Sequence, residues 1–478
     1  MNGPGSVAEP SAVTGLAAKK EPVMWIRFRR TTFPTLMIAG LVAAAATAAP
    51  AWAAPASATQ TASASTSPGT RLWSAQFHGL GRFSQPQAMA PSPDGAAVFI
   101  TGFTTVRSNH DRYATVGYNA LTGAKLWRSI FHRGPALSNS IGQDVAVSPD
   151  SSKVFVTGST PGGIGTVAYD AATGAKLWVV VTPAGEAGSD LAVSPDGGTL
   201  YVTGFGPGRL SYVTLAYSTA SGALLWTSSY TGQLGFGDHT PQIVASPDGS
   251  AVFVRGDLGI PGRFVTIAYQ AATGARLWAR LFKGLGDSVS ESMVVSPDGS
   301  TVFVTGDSFG RVSRAYATVA YAAATGAWRW VRYDFGPAET LAHSLAVTPD
   351  GTAVFVTGEI AANGRSGYST VAHDAATGAK LWRQRYFGPG GTGAFGWFAG
   401  VSPDGSTVYV TGFTSAGHFA TLGYNPSTGA QLWSAVYRPA ECASATGAVN
   451  PMTPEIMVTG TCGAPNNTQN YVTVAYSG

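Results

Sequence analysis

Cysteine is almost missing from this chain, with two in 478 residues. No histidine or second cysteine pair accompanies them, so they form no metal signature. Charge is scarce at 11%, and no basic stripe points to nucleic acid. Apolar runs stop short of the ~20 residues that a membrane span needs. Also absent are Gly-x-Ser-x-Gly, a His-x-x-x-His zinc helix and a phosphate loop, which removes the readily recognised hydrolase, metalloprotease and nucleotide-binding classes. Helical spacing of apolar residues does not persist over ten or more positions in the repeating part of the chain.

What is present repeats. Residues 168–178 read Ala-Tyr-Asp-Ala-Ala-Thr-Gly-Ala-Lys-Leu-Trp, and the closing tryptophan returns at Trp73, Trp127, Trp178, Trp226, Trp278, Trp330, Trp382 and Trp433. The intervals are 54, 51, 48, 52, 52, 52 and 51 residues, a period that marks a repeat architecture. Between tryptophans come a Ser-Pro-Asp-Gly turn, a Val-Phe-Val-Thr-Gly run and a Tyr-Ala-Thr-Val-Ala-Tyr run. Val154 to Thr157 and Tyr316 to Tyr321 are β-branched and aromatic, and glycine-bearing turns such as Pro403-Asp404-Gly405 and Thr428-Gly429 divide the runs. Each repeat therefore reads as a four-stranded antiparallel meander, with strand A before Ser-Pro-Asp-Gly, strand B at Val-Thr-Gly, strand C at Thr-Val-Ala-Tyr and strand D carrying the tryptophan.

Apolar residues at successive strand positions imply sheets covered on both faces. Small sheets stacked about an axis meet that need, so the fold class is all-β and the expected architecture is an eight-bladed β-propeller. Modest inner strands (Leu191-Ala192-Val193) and bulky outer ones suit wedge-shaped blades. The eight tryptophans are assigned to docking blades: burying one indole removes roughly 150–250 Å² from water, and truncation to Ala costs about 3–5 kcal/mol. The last repeat supplies strands B and C but no D, while Thr70 to Phe77 is a D strand without a preceding blade. The N-terminal strand should complete the last blade, removing two exposed edges.

Upstream lies a leader. Met24-Trp25-Ile26-Arg27-Phe28-Arg29-Arg30, an apolar stretch from Leu36 to Ala49 and Ala51-Trp52-Ala53 read as a secretory signal peptide over 1–53, with Met24 as an alternative start and Arg29-Arg30 a loose twin-arginine feature. Removing its five basic and two acidic residues leaves 24 and 23, a nearly neutral mature chain. Residues 54–69 are a low-complexity linker of disordered composition, and 70–478 form one propeller domain. If 442–449 and 455–462 pair as a hairpin, Cys442 faces Cys462 across two antiparallel strands, within reach of a disulfide, as export allows.

The pattern Ala-x-Asp-x-x-Thr-Gly-x-x-x-Trp, complete at Ala168, Asp170, Thr173, Gly174 and Trp178 and again at Ala372, Asp374, Thr377, Gly378 and Trp382, resembles the pyrroloquinoline-quinone (PQQ) type propeller repeat. The Asp position is Asn119, Ser218, Gln270, Ala322 and Asn425 in looser copies. The resemblance, which extends to quinoprotein alcohol dehydrogenases and to bacterial propeller repeats of secreted proteins, implies the fold and a docking role for the motif. Those dehydrogenases use PQQ, a Ca²⁺ held by Glu and Asn, a catalytic Asp and usually adjacent cysteines. This chain has no adjacent cysteines and no Cys-x-x-Cys-His haem motif, so no catalytic role transfers to any position. The Ser-Pro-Asp-Gly-Ser-Thr turn is similar to a sialidase Asp box only in part, lacking its extra residue before the glycine and its Trp.

Variable loops, D to A and B to C, gather on one face, where a rigid scaffold carries function. The departures there are Arg255, in place of the repeat threonine, and the acids after the repeat glycine, Asp257, Asp307 and Glu359. Near strand A starts stand Asp144, Asp190, Glu291 and His343. Together these are the candidate binding residues; their alternative role is to cap strand ends. His110, His132, His239 and His418 lie in separate loops without metal-ligand spacing. The function taken from the sequence is a secreted, monomeric binding scaffold for a protein, glycan or small ligand, with no cofactor and no nucleic acid. The alternatives are a PQQ- and Ca²⁺-dependent oxidoreductase and a lactonase-like hydrolase.

Overall fold

The computed structural model describes residues 66–478 except 107–109, 136–137, 184–186, 210, 233–239, 260, 311–313, 338, 363, 440 and 465–467. The leader, the linker up to residue 65 and His239 lie outside the described residues. Eight four-stranded antiparallel sheets follow one another along the chain. Blade 1 consists of Ser84–Pro91, Ala97–Thr105, Asp111–Asn119 and Lys125–Phe131, and blades 2 to 7 repeat that A-B-C-D order. Blade 8 takes Cys442–Val449, Ile456–Ala464 and Thr468–Tyr476 as A, B and C, and Arg71–Phe77 as D. The N-terminal strand pairs Trp73 with Ala475 and Phe77 with Tyr471. Successive A strands touch in order, and that of blade 8 touches that of blade 1, so the ring is closed.

Local chemistry sets each turn. In Ser-Pro-Asp-Gly, the serine hydroxyl donates to the aspartate, as Ser402 Oγ does to Asp404 Oδ1 at 2.5 Å, and accepts from the backbone at the entry to strand B, Thr407 N, at 2.9 Å. The turn's fourth residue has positive φ, 71° at Gly405. Ser151 takes that place in blade 2 at φ 60°, a conformation that costs a non-glycine residue about 1–2 kcal/mol. At the C–D turn, Asp170 Oδ1 accepts from Thr173 N at 2.8 Å and Thr173 Oγ1 at 2.7 Å, and Asn119 and Asn425 do the same with an amide oxygen. The Asp-x-x-Thr-Gly signature is therefore a turn device.

The core lies between blades. Each of the eight apolar clusters joins residues of two neighbours, such as Phe355 and Trp382 of blade 6 with Val410 and Leu422 of blade 7. Seven tryptophans donate their indole N–H to a carbonyl at the next blade's C–D turn: Trp73 to Ala120, Trp127 to Ala171, Trp178 to Thr219, Trp226 to Ala271, Trp278 to Ala323, Trp330 to Ala375 and Trp382 to Pro426, at 2.6–3.0 Å. Their rings also press on the turn glycine; a Cβ on Gly174 would stand 2.5 Å from Trp127.

Trp433 reaches the joint in the ring, where two distant chain segments build that turn. Gly69 N donates to Ser477 O at 2.9 Å, Ser477 N to Thr70 O at 3.0 Å and Ser477 Oγ to Ser67 O at 2.7 Å. Gly69, at φ 78°, fills the place of the turn glycine, with Trp433 where its Cβ would be. Only the indole bond is missing: Trp433 Nε1 is buried without a partner.

Cys442 pairs with Cys462 in the A–B ladder of blade 8 and forms a disulfide with it, Cα atoms 4.0 Å apart. No helix among the described residues is long and apolar enough to cross a membrane.

Candidate functional site

The inner edge of each blade, strand A, has no neighbouring strand for its outward N–H groups. Such groups need acceptors when buried. Strand A carries a register break at Pro86/Ala88, Gly142/Asp144, Gly188/Asp190, Ser290/Ser292, Ala342/Ser344 and Gly396/Phe398. The residue beyond the break, opposite the repeat threonine, reaches into the next blade. Asp144 accepts from Leu191 N (3.0 Å), Asp190 from Ile243 N (2.8 Å), Gln242 from Met293 N (2.8 Å), Ser292 from Leu345 N (3.2 Å) and Ser344 from Ala399 N (3.0 Å). These bonds run without a gap from blade 2 to blade 7. Blades 1 and 7 carry Ala88 and Phe398 at the same position.

Asp144 and Asp190 therefore hold blades together. Burial, and then the charge of Asp144, push the Asp190 carboxyl far above its ordinary value. Burial raises the Asp144 carboxyl as well, so the fold disfavours charge on both members of the pair.

A second tier joins blades 4 to 6. Arg255 donates to Gln242 Oε1 (3.3 Å), to the Ser290 carbonyl (2.8 Å) and to the Glu291 carbonyl. Its strand C neighbour Thr266 is thereby left without the threonine partner found elsewhere, as in the Thr305–Thr318 pair. Asp257 accepts from Ser290 N (2.7 Å) and Oγ (2.9 Å), and Asp307 from Ala342 N (2.8 Å). These three are also inter-blade ties.

What is left faces the axis at the break positions. Glu291, His343 and Trp397 are the extra residues of blades 5, 6 and 7. His343 stacks on Trp397, ring centroids 4.2 Å apart at 19°, and Trp397 stacks on Phe413 at 6.3 Å and 14°. His343 Nε2 lies 3.5 Å from Glu359 Oε1. Burial works against charge on His343, but Glu359, Glu291 and Asp307 outweigh it and raise its pKa. The close, nearly parallel stack of imidazole on indole is a favourable aromatic pair. Burial and then Glu291 push Asp307 up to about 7. Of the eight predicted residues, the structure brings Glu291, Asp307, His343 and Glu359 into one electrostatic cluster; Arg255 and Asp257 border it, and Asp144 and Asp190 lie in other blades.

Two groups escaped the sequence reading. Trp397 buries its indole Nε1 without a partner; its signal was a tryptophan in strand A, where the other repeats place no Trp, Tyr or Phe. Asp334, His373, Lys380 and Arg383 form an ion cluster between blades 5 and 6; its signal was histidine where the other repeats place tyrosine.

Three overlapping stretches, 111–229, 209–370 and 316–464, match the PQQ-type repeat family described as outer membrane protein assembly factor BamB. The chain belongs to that family. Among solved structures it is similar to Sqt1 of Saccharomyces cerevisiae (10% identity, TM-score 0.56, covering 85% of this chain and 98% of that one) and to the Dos1 propeller (12%, 0.55, 86% and 95%). It is also similar to the quinohemoprotein alcohol dehydrogenase of Comamonas testosteroni (12%, 0.52, 85% and 76%). At such identities the likeness is one of fold. A search of curated proteins finds no match.

The residues do not fit a quinone–calcium group. Asp144, Asp190, Asp257 and Asp307 spend carboxylate oxygens on backbone N–H groups of the next blade. Burial disfavours the ionised form of Asp144 and Asp190, where calcium ligation wants ionised oxygens. The two cysteines join facing strands and are not adjacent in sequence. Among the described residues no three His, Cys, Asp or Glu side chains converge as a metal requires.

Proposed function

We propose that this PQQ-repeat propeller is an exported, non-catalytic scaffold that binds a ligand at the axial mouth over blades 5 to 7, where Glu291, His343, Glu359 and Trp397 meet. One observation carries the reading: positions that are small or amide-bearing in blades 1 to 3, Gln87, Gln143 and Ser189, become a carboxylate, an imidazole and an indole in three successive blades. A ligand that binds only the native state stabilises it by RT ln(1 + L/Kd) at free concentration L, so the melting temperature rises with its concentration. Thermal shifts across a panel of oligosaccharides, peptides and polar metabolites should thus yield a stabilising compound whose effect is lost in Trp397→Ala and Glu359→Gln. A compound whose shift survives both substitutions binds elsewhere and removes the site. PQQ with Ca²⁺ should give no shift; a shift with the quinone's absorbance retained on the protein would favour the oxidoreductase.

A lactonase-like hydrolase is the second reading, favoured by the placement of Asp307, titrating near 7, beside Glu291 and His343, since a general acid or base works best with a pKa near the operating pH. Lactone hydrolysis abolished by Asp307→Asn would establish it; absence of turnover in the wild type removes it.

A further inference from the structure

The outer strands do not share their charge equally. Strand D of blades 4, 5 and 6 (Arg276–Phe282, Trp328–Phe335 and Lys380–Tyr386) carries seven cations, whereas those of the other five blades carry four between them. The chain as a whole is almost balanced, 29 basic against 25 acidic, so this is a local concentration. The one carboxylate on these three strands, Asp334, is buried and already held by His373, Lys380 and Arg383. Arg280 and Arg332 donate to carbonyls of the neighbouring C–D turns, Gly326 and Thr325 for one, Gly378 and Thr377 for the other. Carbonyls fix a guanidinium in place and leave its charge uncompensated. Arg276, Arg329 and Arg385 are exposed; Arg276 lies over the Tyr230 ring at 5.5 Å, and Arg329 donates to the Ser300 carbonyl at 3.1 Å with Asp298 nearby, which leaves Arg385 the least engaged of the three.

An aromatic platform stands among them. Trp328 is 49% exposed and is steadied by Phe282 (5.7 Å) and Tyr321 (5.8 Å). Unlike the repeat tryptophans, it docks no blade turn.

We propose that the outer rim of blades 4 to 6 is a docking surface for an acidic polysaccharide, whose carboxylates pair with Arg276, Arg329 and Arg385 and one of whose sugar rings lies on Trp328. Six of the seven cations are arginines, whose planar fork matches a carboxylate bidentately. The rim is convex and its charges sit in three separate rows, one per blade. A flexible anionic chain follows such a surface, whereas a stiff duplex or a flat bilayer meets it along one row. Arginines pre-fixed on carbonyls lose little further freedom on binding. This surface is distinct from the axial mouth and does not depend on it.

The test is binding of polygalacturonate to the full chain by calorimetry, with dextran, single-stranded DNA and phosphatidylglycerol vesicles alongside. Polygalacturonate should bind, weakening as salt rises, and dextran should not. Arg329→Gln with Arg385→Gln should weaken binding at least tenfold at an unchanged melting temperature. Trp328→Ala should weaken it with the charge intact, and Lys125→Gln with Lys176→Gln, on blades 1 and 2, should leave it unchanged. Retention of polygalacturonate no better than dextran overturns the proposal, as does indifference to Trp328→Ala. So does tighter binding of DNA or vesicles that the arginine variants abolish.

Discussion

At the scale of single residues, Asp334 is the most tightly held charge in the described part of the molecule. Its carboxylate takes His373 Nε2 at 2.7 Å, Lys380 Nζ at 3.0 Å and Arg383 Nη2 at 2.9 Å, and is 3% exposed. At the strand D position of Asp334 other blades carry an aromatic residue, Phe131 or Phe282, packed on the facing strand C ring of its own blade, Tyr113 or Phe264. Removing one partner of a buried ion cluster strands the others, so Asp334→Asn should cost about 3–5 kcal/mol in urea unfolding. Asp334→Phe combined with His373→Tyr should recover most of that loss, because well-packed apolar groups replace buried ions at little cost. Burial opposes the charge on Asp334, but His373 and Lys380 hold its pKa down. Its contribution is therefore present above the ordinary carboxylate range and is lost as pH falls through the lowered value. The turn aspartates act in the same direction, with Asp150, bonded to Ser148 and Ser152, held at about 2. Asp307 has the opposite sign. With its folded pKa raised to about 7, it favours the native state below pH ~4 and loses that advantage as pH rises to ~7. Asp307→Asn keeps an oxygen for Ala342 N and removes the proton, so melting temperatures at pH 4.5 and 8 should fall closer together in the variant than in the wild type.

Within the strands and turns, the repeat motif is satisfied seven times in one way and once in another. Trp127→Phe forfeits the bond to Ala171 O as well as indole volume, whereas Trp433→Phe forfeits volume alone. The first should cost about 1 kcal/mol more than the second by chemical denaturation. The facing cysteines close a hairpin 20 residues apart, and Cys442→Ser with Cys462→Ser should cost about 3 kcal/mol. Period, turn residues and hairpin symmetry are local properties, which is why the blades, the closing strand and the facing cysteines could be read before any coordinates. The inter-blade bonds could not. Asp144 and its donor Leu191 N stand 47 positions apart, and the donor is a backbone group that leaves no mark in a sequence. The break in strand A, which aims Asp144, Ser292 and Ser344 sideways and leaves Glu291, His343 and Trp397 toward the axis, has no residue signature either. The candidate list consequently mixed ties such as Asp144, Asp190 and Asp257 with members of the mouth cluster and passed over Trp397.

Across the whole molecule, each blade contacts only its neighbours, so stability is approximately a sum over interfaces, and these are unequal. Strand A side chains of blades 2 through 6 each clamp the following blade. The joint falls in the remaining arc, where Ala88 and Phe398 offer no such clamp and where the closing strand is held by its pairing to Thr468–Tyr476 and by the Ser67, Gly69 and Ser477 bonds. Slow unravelling should begin beside that joint and move inward, leaving blades 3 to 6 as the last island. Deuterium uptake followed by mass spectrometry should then show the amides of Arg71–Phe77 and Ser84–Pro91 exchanging ahead of those in Ala187–Val193 and Asp287–Val295. Uniform protection around the circle would mean that the clamps add nothing beyond ordinary packing. The arc that lets go first also lies opposite the arginine-rich rim, so the surface offered to an acidic chain would stay rigid while the far side breathes.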